Sequence, residues 1–293
     1  ISEKWDSVVN EKEEQQRYQL PHKFAKLETP TLFVINAGST FVTCLGLMIL
    51  PYLFDLIRKI PKVKDIKLLK SIHSNLRWNI PIRVFLESGT PLTFAILIQT
   101  RKISYANAPY IISTITSSLA FVYMCLMLNY LSKTVADLKY ENLKDPDVEN
   151  SVGTLYEGLV MKKNQPLSKY YYVLLLWRGM LLVFMDTFVY DLPMVQIGSM
   201  IIFNFVFLLY VCKVIEFESR YLTWTNRIKE ALILKSEILI MMLNYQNTTV
   251  VFKDTLGWII IVIIGVILAM EMLYGFYLQI LTIKGWIQSA KAL

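Results

Sequence analysis

Seven stretches of this chain stay apolar for long enough to cross a bilayer, and that repetition limits the fold more than any motif does. They are Thr31–Phe54, Ile82–Thr100, Pro109–Leu131, Tyr170–Tyr190, Met194–Val214, Glu230–Tyr245 and Gly257–Thr282. At about 1.5 Å per residue, a helix of roughly twenty residues spans a hydrocarbon core about 30 Å thick. With no water at that depth, the backbone must satisfy its own polar groups, so each run is expected to be helical. The expected fold is therefore an all-α polytopic membrane bundle of about seven helices. The second and sixth runs are the weakest, because both contain charge and the sixth is short. Six spans plus one interfacial segment is the alternative count.

Charged residues make up 18% of the chain, against about 25% in soluble domains. The net charge of +7 is not a nucleic-acid signature, because the basic residues cluster between apolar runs. Eight follow the first run (Arg58, Lys59, Lys62, Lys64, Lys67, Lys70, Arg77, Arg83), six the third (Lys133, Lys139, Lys144, Lys162, Lys163, Lys169) and four the fifth (Lys213, Arg220, Arg227, Lys229). The alternate connections hold only Arg101, Lys102 and Lys253. The positive-inside rule then puts the N-terminus outside and the C-terminus in the cytoplasm. The Asn247-Thr248-Thr249 triplet, an N-glycosylation acceptor, falls in a loop this scheme places outside.

Outside the spans, residues 1–30 read as an extracellular or lumenal stalk, residues 132–169 as a cytoplasmic loop and residues 283–293 as a cytoplasmic tail. Within 58–80, Val63, Ile66, Leu69, Ile72, Leu76 and Ile80 share one helical stripe opposite a lysine face. This pattern predicts an amphipathic helix at the cytoplasmic leaflet, with Lys62 to Arg77 on anionic headgroups, or a surface helix between spans. Cys44, Cys125 and Cys212 lie in apolar runs without metal or disulfide spacing, and no metal or cofactor is expected. Ile1 stands where a Met would begin a complete chain, so the expectation is a module of a larger protein.

The charged positions inside the runs carry the functional question, because a charge in hydrocarbon must be paired or reach water. Arg178 lies about eight residues into the fourth run and Glu237 about eight into the sixth, roughly 12 Å deep in each case. If those helices are neighbours, the two form an ion pair that either lines an ion path or bridges helices. Glu271 sits near the middle of the most apolar run and is the best single cation or proton site, or else a packed hydrogen-bonding residue. Gln196 and Asn204, two turns apart, are expected to face inward. Arg83 is close enough to reach Glu87. Ser113, Ser117 and Ala120 in the third run, and Ser39, Thr43 and Gly46 in the first, form small faces suited to close helix packing. Asp191-Leu192-Pro193 reads as a tight outer turn. No HExxH, GxSxG, P-loop or GxGxxG motif occurs, so no enzyme is expected.

The stretch "GTLYEGL" (Gly153, Leu155, Tyr156, Glu157 and Gly158 among its residues), the aromatic lead-in "KYYYVLLLWRG" with Arg178, and "PMVQIG" with Gln196 together form a recognisable pattern. Over residues 150–245 the chain resembles the TRP-like membrane region of fungal flavin-carrier proteins. It also resembles the C-terminal multi-span region of large ciliate proteins with cysteine-rich ectodomains and of apicomplexan cysteine-repeat modular proteins. "KVIEFESRYL" lacks the Arg-Pro-aromatic step of the fungal pattern, which favours the protist resemblance. The resemblance implies a membrane module behind a large ectodomain, related to TRP-type channels; with the charges at depth, the first expectation is a cation-conducting TRP-like module, assembled as a homo- or hetero-oligomer. The alternatives are a non-conducting receptor or anchor domain and a structural subunit of a larger membrane complex.

Overall fold

The structure, a computed structural model, describes residues 32–58, 79–101, 103, 107–143, 145–189, 191–244 and 249–291. Among these the architecture is helical and contains no strand. The helices are α1 (Phe33–Arg58), α2 (Ile80–Thr100), α3 (Ala108–Asp137), α4 (Pro146–Val152), α5 (Tyr171–Phe188), α6 (Pro193–Lys213), α7 (Arg220–Leu243) and α8 (Val250–Lys291). Short 3-10 turns occupy Tyr140–Asn142, Gly153–Leu155 and Pro166–Tyr170. The expected stalk, the stripe from Lys62 to Arg77 and the Asn247 acceptor lie outside the described residues. Of the expected tail, only the helical backbone to Lys291 is described.

Among the described residues six helices are long and apolar enough to cross a membrane: Phe33–Leu53, Ile80–Thr100, Ala108–Asp137, Pro166–Phe188, Pro193–Lys213 and Val250–Phe276. This fits a multi-pass integral membrane protein. The remaining expected run starts at Glu230 inside α7, which spans Arg220–Leu243 and is not among the six; its last residue, Tyr245, lies outside the described residues. The signal for that earlier start is Ser219. It serves as N-cap, its hydroxyl accepting from the Leu222 N–H at 3.5 Å, while Thr223 Oγ1 accepts from the Phe217 N–H at 3.0 Å.

The chain divides into two compact units between Asp191 and Leu192, inside the expected outer turn. In the first unit, α2 packs against α1, α3 and α5. Half of its span is buried, against 17% for α8. Arg83, Glu87 and Pro91, spaced four residues apart, all fall on the exposed side of α2, so the two charges of this run stay clear of the packed faces. Its crossing with α5 is close. A Cβ built on Gly89 would lie 2.6 Å from Leu176 Cδ1, and one on Gly179 would lie 2.5 Å from Thr90 Oγ1.

The α1–α3 contact corrects half of an expectation. Ser113, Ser117 and Ala120 of α3 are buried as expected, but Ser39, Thr43 and Gly46 of α1 are exposed. α1 instead buries Phe33, Ala37, Phe41 and Cys44. The Phe41 ring meets Tyr123 edge-on at 6.0 Å, and Tyr123 meets Phe85 at 5.7 Å. Large rings fill the space that small α3 residues leave. Thr43 needs no partner helix, since its hydroxyl donates to the Ser39 carbonyl at 2.9 Å.

Gln99, 2% exposed, ties three helix ends together. Its Oε1 accepts from the Phe33 N–H at 2.9 Å and from Ser113 Oγ at 2.8 Å, and its Nε2 lies 3.4 Å from Thr114 Oγ1. It thus satisfies a first-turn donor of α1 that has no partner within its own helix. Gln99→Leu is expected to cost about 1–3 kcal/mol by orphaning buried donors, read as a lower unfolding midpoint in detergent; an unchanged midpoint would mean that water replaces the amide.

In the second unit, α7 packs against α6 and α8. α6 buries Gln196, Asn204, Phe207 and Val211 on one side, in line with the inward placement expected for Gln196 and Asn204.

Candidate functional site

Two constellations gather the residues that the sequence singles out, one in each unit. The first is the connection between α3 and α5. Gly153 opens a 3-10 turn, and Leu155, fully buried, plugs this turn into the core beside Val152 and Val173. The Thr154 N–H donates to Asn79 Oδ1 at 3.0 Å, and the Thr154 hydroxyl donates to the same oxygen. Asn79 precedes α2 but makes no side-chain cap to its own helix. Its amide is committed to the loop instead.

Glu157 pairs with Arg83 of α2, and its carbonyl accepts from the Tyr172 hydroxyl of α5 at 2.8 Å. Arg83 therefore engages the loop rather than Glu87, one turn along its own helix, because the loop folds back over the end of α2. The pair is more than half exposed at both side chains, so it contributes little stability by itself. Tyr156 donates from its hydroxyl to the Leu143 carbonyl at 3.2 Å. Burial, and then the nearby Glu149 carboxylate, raise its phenol above the usual tyrosine range. Gly158 takes φ +71°, a left-handed conformation that side chains with a Cβ rarely adopt. Lys169 closes the connection, its ammonium donating to the Ala136 and Leu138 carbonyls at 2.9 and 3.1 Å at the end of α3, where a cation complements the helix dipole.

"GTLYEG" is therefore a folded latch that binds the same ends of α2, α3 and α5. Gly158→Val is expected to cost about 1–2 kcal/mol through backbone strain and to speed proteolysis between Leu143 and Lys169. Gly153→Ala, whose Cβ would meet only Glu149 Cγ at an ordinary 3.5 Å, is expected to be mild. Equal sensitivity of the two variants would contradict the left-handed assignment.

The second constellation lies between α6, α7 and α8. Asn204, 1% exposed and midway along α6, donates from Nδ2 to Glu237 Oε1 of α7. Glu271 of α8 accepts from Lys229 of α7 at 2.7 Å. Glu271 lies midway along α8, which runs Val250–Lys291.

Arg178 is half-buried on α5 beside Gly179. It belongs to the first unit and Glu237 to the second. Among the described residues no group of three or more His, Cys, Asp or Glu side chains is placed to hold a metal. Sequence reasoning missed Asn79, Thr154, Gln99 and the roles of Lys169 and Lys229. A polar residue at the very end of an apolar run, as in "AILIQT", was the one available hint for Gln99. Comparison of the chain with protein-family models, with curated proteins and with solved structures finds no match.

Proposed function

We propose that this chain is a non-conducting membrane domain that anchors a larger protein and displays the folded α3–α5 connection to partners on the cytoplasmic side. The observation that carries this reading is the engagement of the depth charges: Glu237 is held by Asn204 and Glu271 by Lys229, each on a neighbouring helix of the same unit. Polar contacts of this kind bind helices in a medium that offers no hydrophobic drive for their association. The latch around Gly153–Leu159 is built as a platform rather than a loose loop, which suits a surface that other proteins read.

Seven crossings with the N-terminus outside remain the proposed topology. The six-residue connection between α6 and α7 makes them antiparallel. Pairing Asn204 with Glu237 then sets Lys213 level with Ile228 and Gly198 level with Leu243. That register supports α7 as the seventh span, its polarity answered by α6 and α8. The membrane is a plasma membrane or an endomembrane.

The second reading, a TRP-like cation conductor, is favoured by the polar Asn204–Glu237 contact at mid-helix. Reconstitution at high density in liposomes separates the two. Silent bilayers, with Glu237→Gln and Glu271→Gln indistinguishable from the parent, are expected. A cation current altered by either substitution would overturn the anchor reading and establish the conductor.

A further inference from the structure

The first unit holds two concavities, one in the connection between α3 and α5 and one between α2, α3 and α5. At the junction of α3 and α5 a cleft of about 90 Å³ is lined by Leu138, Met161, Ser168 and three lysines, Lys162, Lys163 and Lys169. No acidic residue lines it. Further along the same helices, Ile96, Phe121, Met124, Trp177, Leu181 and Phe184 line a groove of about 230 Å³ between α2, α3 and α5. The polar side chain in it, Thr93, already donates its hydroxyl to the Gly89 carbonyl at 2.7 Å. Trp177 and Phe184 lie seven and fourteen residues past Tyr170, which places the groove about 10–20 Å from the cleft. The groove therefore asks for a dry, flexible chain, and the cleft for an anion.

We propose that α3, α5 and the connection between them bind one anionic glycerophospholipid, its phosphate held by Lys162 and Lys163 and an acyl chain lying in the Trp177–Phe184 groove. The charge complementarity and the spacing select a membrane lipid over a soluble phosphate ester, which would occupy the cleft alone. Lys169 donates to two carbonyls at the end of α3 and lies 5.3 Å from the centroid of the Tyr170 ring, so the phosphate is assigned to Lys162 and Lys163. The proposal rests on the membrane-domain reading but not on which side of the membrane the cleft faces.

The test uses the full chain in detergent, with native mass spectrometry counting bound phosphatidic acid and phosphatidylcholine. The parent is expected to retain phosphatidic acid preferentially. Lys162→Gln with Lys163→Gln should lower its apparent affinity about tenfold or more, since each lysine near an anionic headgroup contributes substantially. Lys133→Gln with Lys139→Gln removes the same charge from outside the cleft and should change affinity less than twofold. Leu181→Trp, at a half-buried position in the groove, should displace the lipid without touching the lysines. Equal losses in the two lysine pairs would reduce the effect to diffuse electrostatics and overturn the proposal. Displacement by inorganic phosphate with no response to Leu181→Trp would also overturn it, in favour of a soluble ligand. Far-UV circular dichroism and melting confirm that each variant is folded. A chain that stays monodisperse without detergent would refute the membrane reading separately.

Discussion

Asn204→Leu is expected to destabilise the α6–α7–α8 unit by about 1.5–3 kcal/mol, the range for losing a hydrogen bond to a charged group. Glu237 would lose the Asn204 amide that donates to it. Removing one partner of a buried polar pair costs more than replacing both, so Asn204→Leu with Glu237→Leu should recover most of the loss. Unfolding in mixed micelles measures it. The rescue also bears on function. If the pair is an interhelical tie, the double variant regains stability and the protein keeps its partners. A double variant less stable than either single one would show that Glu237 serves something other than the contact with Asn204.

Gly179→Leu should be the most damaging single substitution in the first unit, at about 3 kcal/mol, the upper part of the usual range for overpacking. The first atom added there would sit 2.5 Å from Thr90 Oγ1 on α2, and the remaining atoms would wedge apart the helix that the unit is built around. Gly46→Leu is the control. No atom lies within 4 Å of a Cβ at Gly46, and the residue is exposed, so a change within about 0.5 kcal/mol is expected. Matching losses at the two glycines would mean that α2 and α5 are not in close contact. A milder outcome at Gly179, with the loss made up by Thr90→Ala, would confirm the contact and identify the colliding atom.

How much of this was legible in advance depends on which interaction decides each feature. Six of the seven expected runs coincide with helices long and apolar enough to cross a membrane, because hydrocarbon imposes length and polarity residue by residue. The buried face of α3 was visible in Ser113, Ser117 and Ala120 for the same local reason. The matching face of α1 was not. Ser39 and Thr43 look like packing residues, but the Thr43 hydroxyl is satisfied within its own helix. In the sequence, Lys229 is one more basic charge between two apolar runs. It is the partner of Glu271, forty-two positions away. Gly158 carried no steric signature in the sequence beyond its being glycine; its φ of +71° appears only once the chain is seen to turn back toward Arg83 and Tyr172.

Read alone, the string of residues determined that this chain is helical and apolar enough to thread a bilayer several times, since the solvent sets that condition on each segment separately. Tertiary structure alone decided that Gln99 binds three helix ends, that Glu157 meets Arg83 and that Asn204 holds Glu237. Those choices depend on the register between helices far apart in the chain, and register is set by the shapes that interlock at Gly89, Gly179 and the aromatic rings of α1, α2 and α3, which no local pattern encodes.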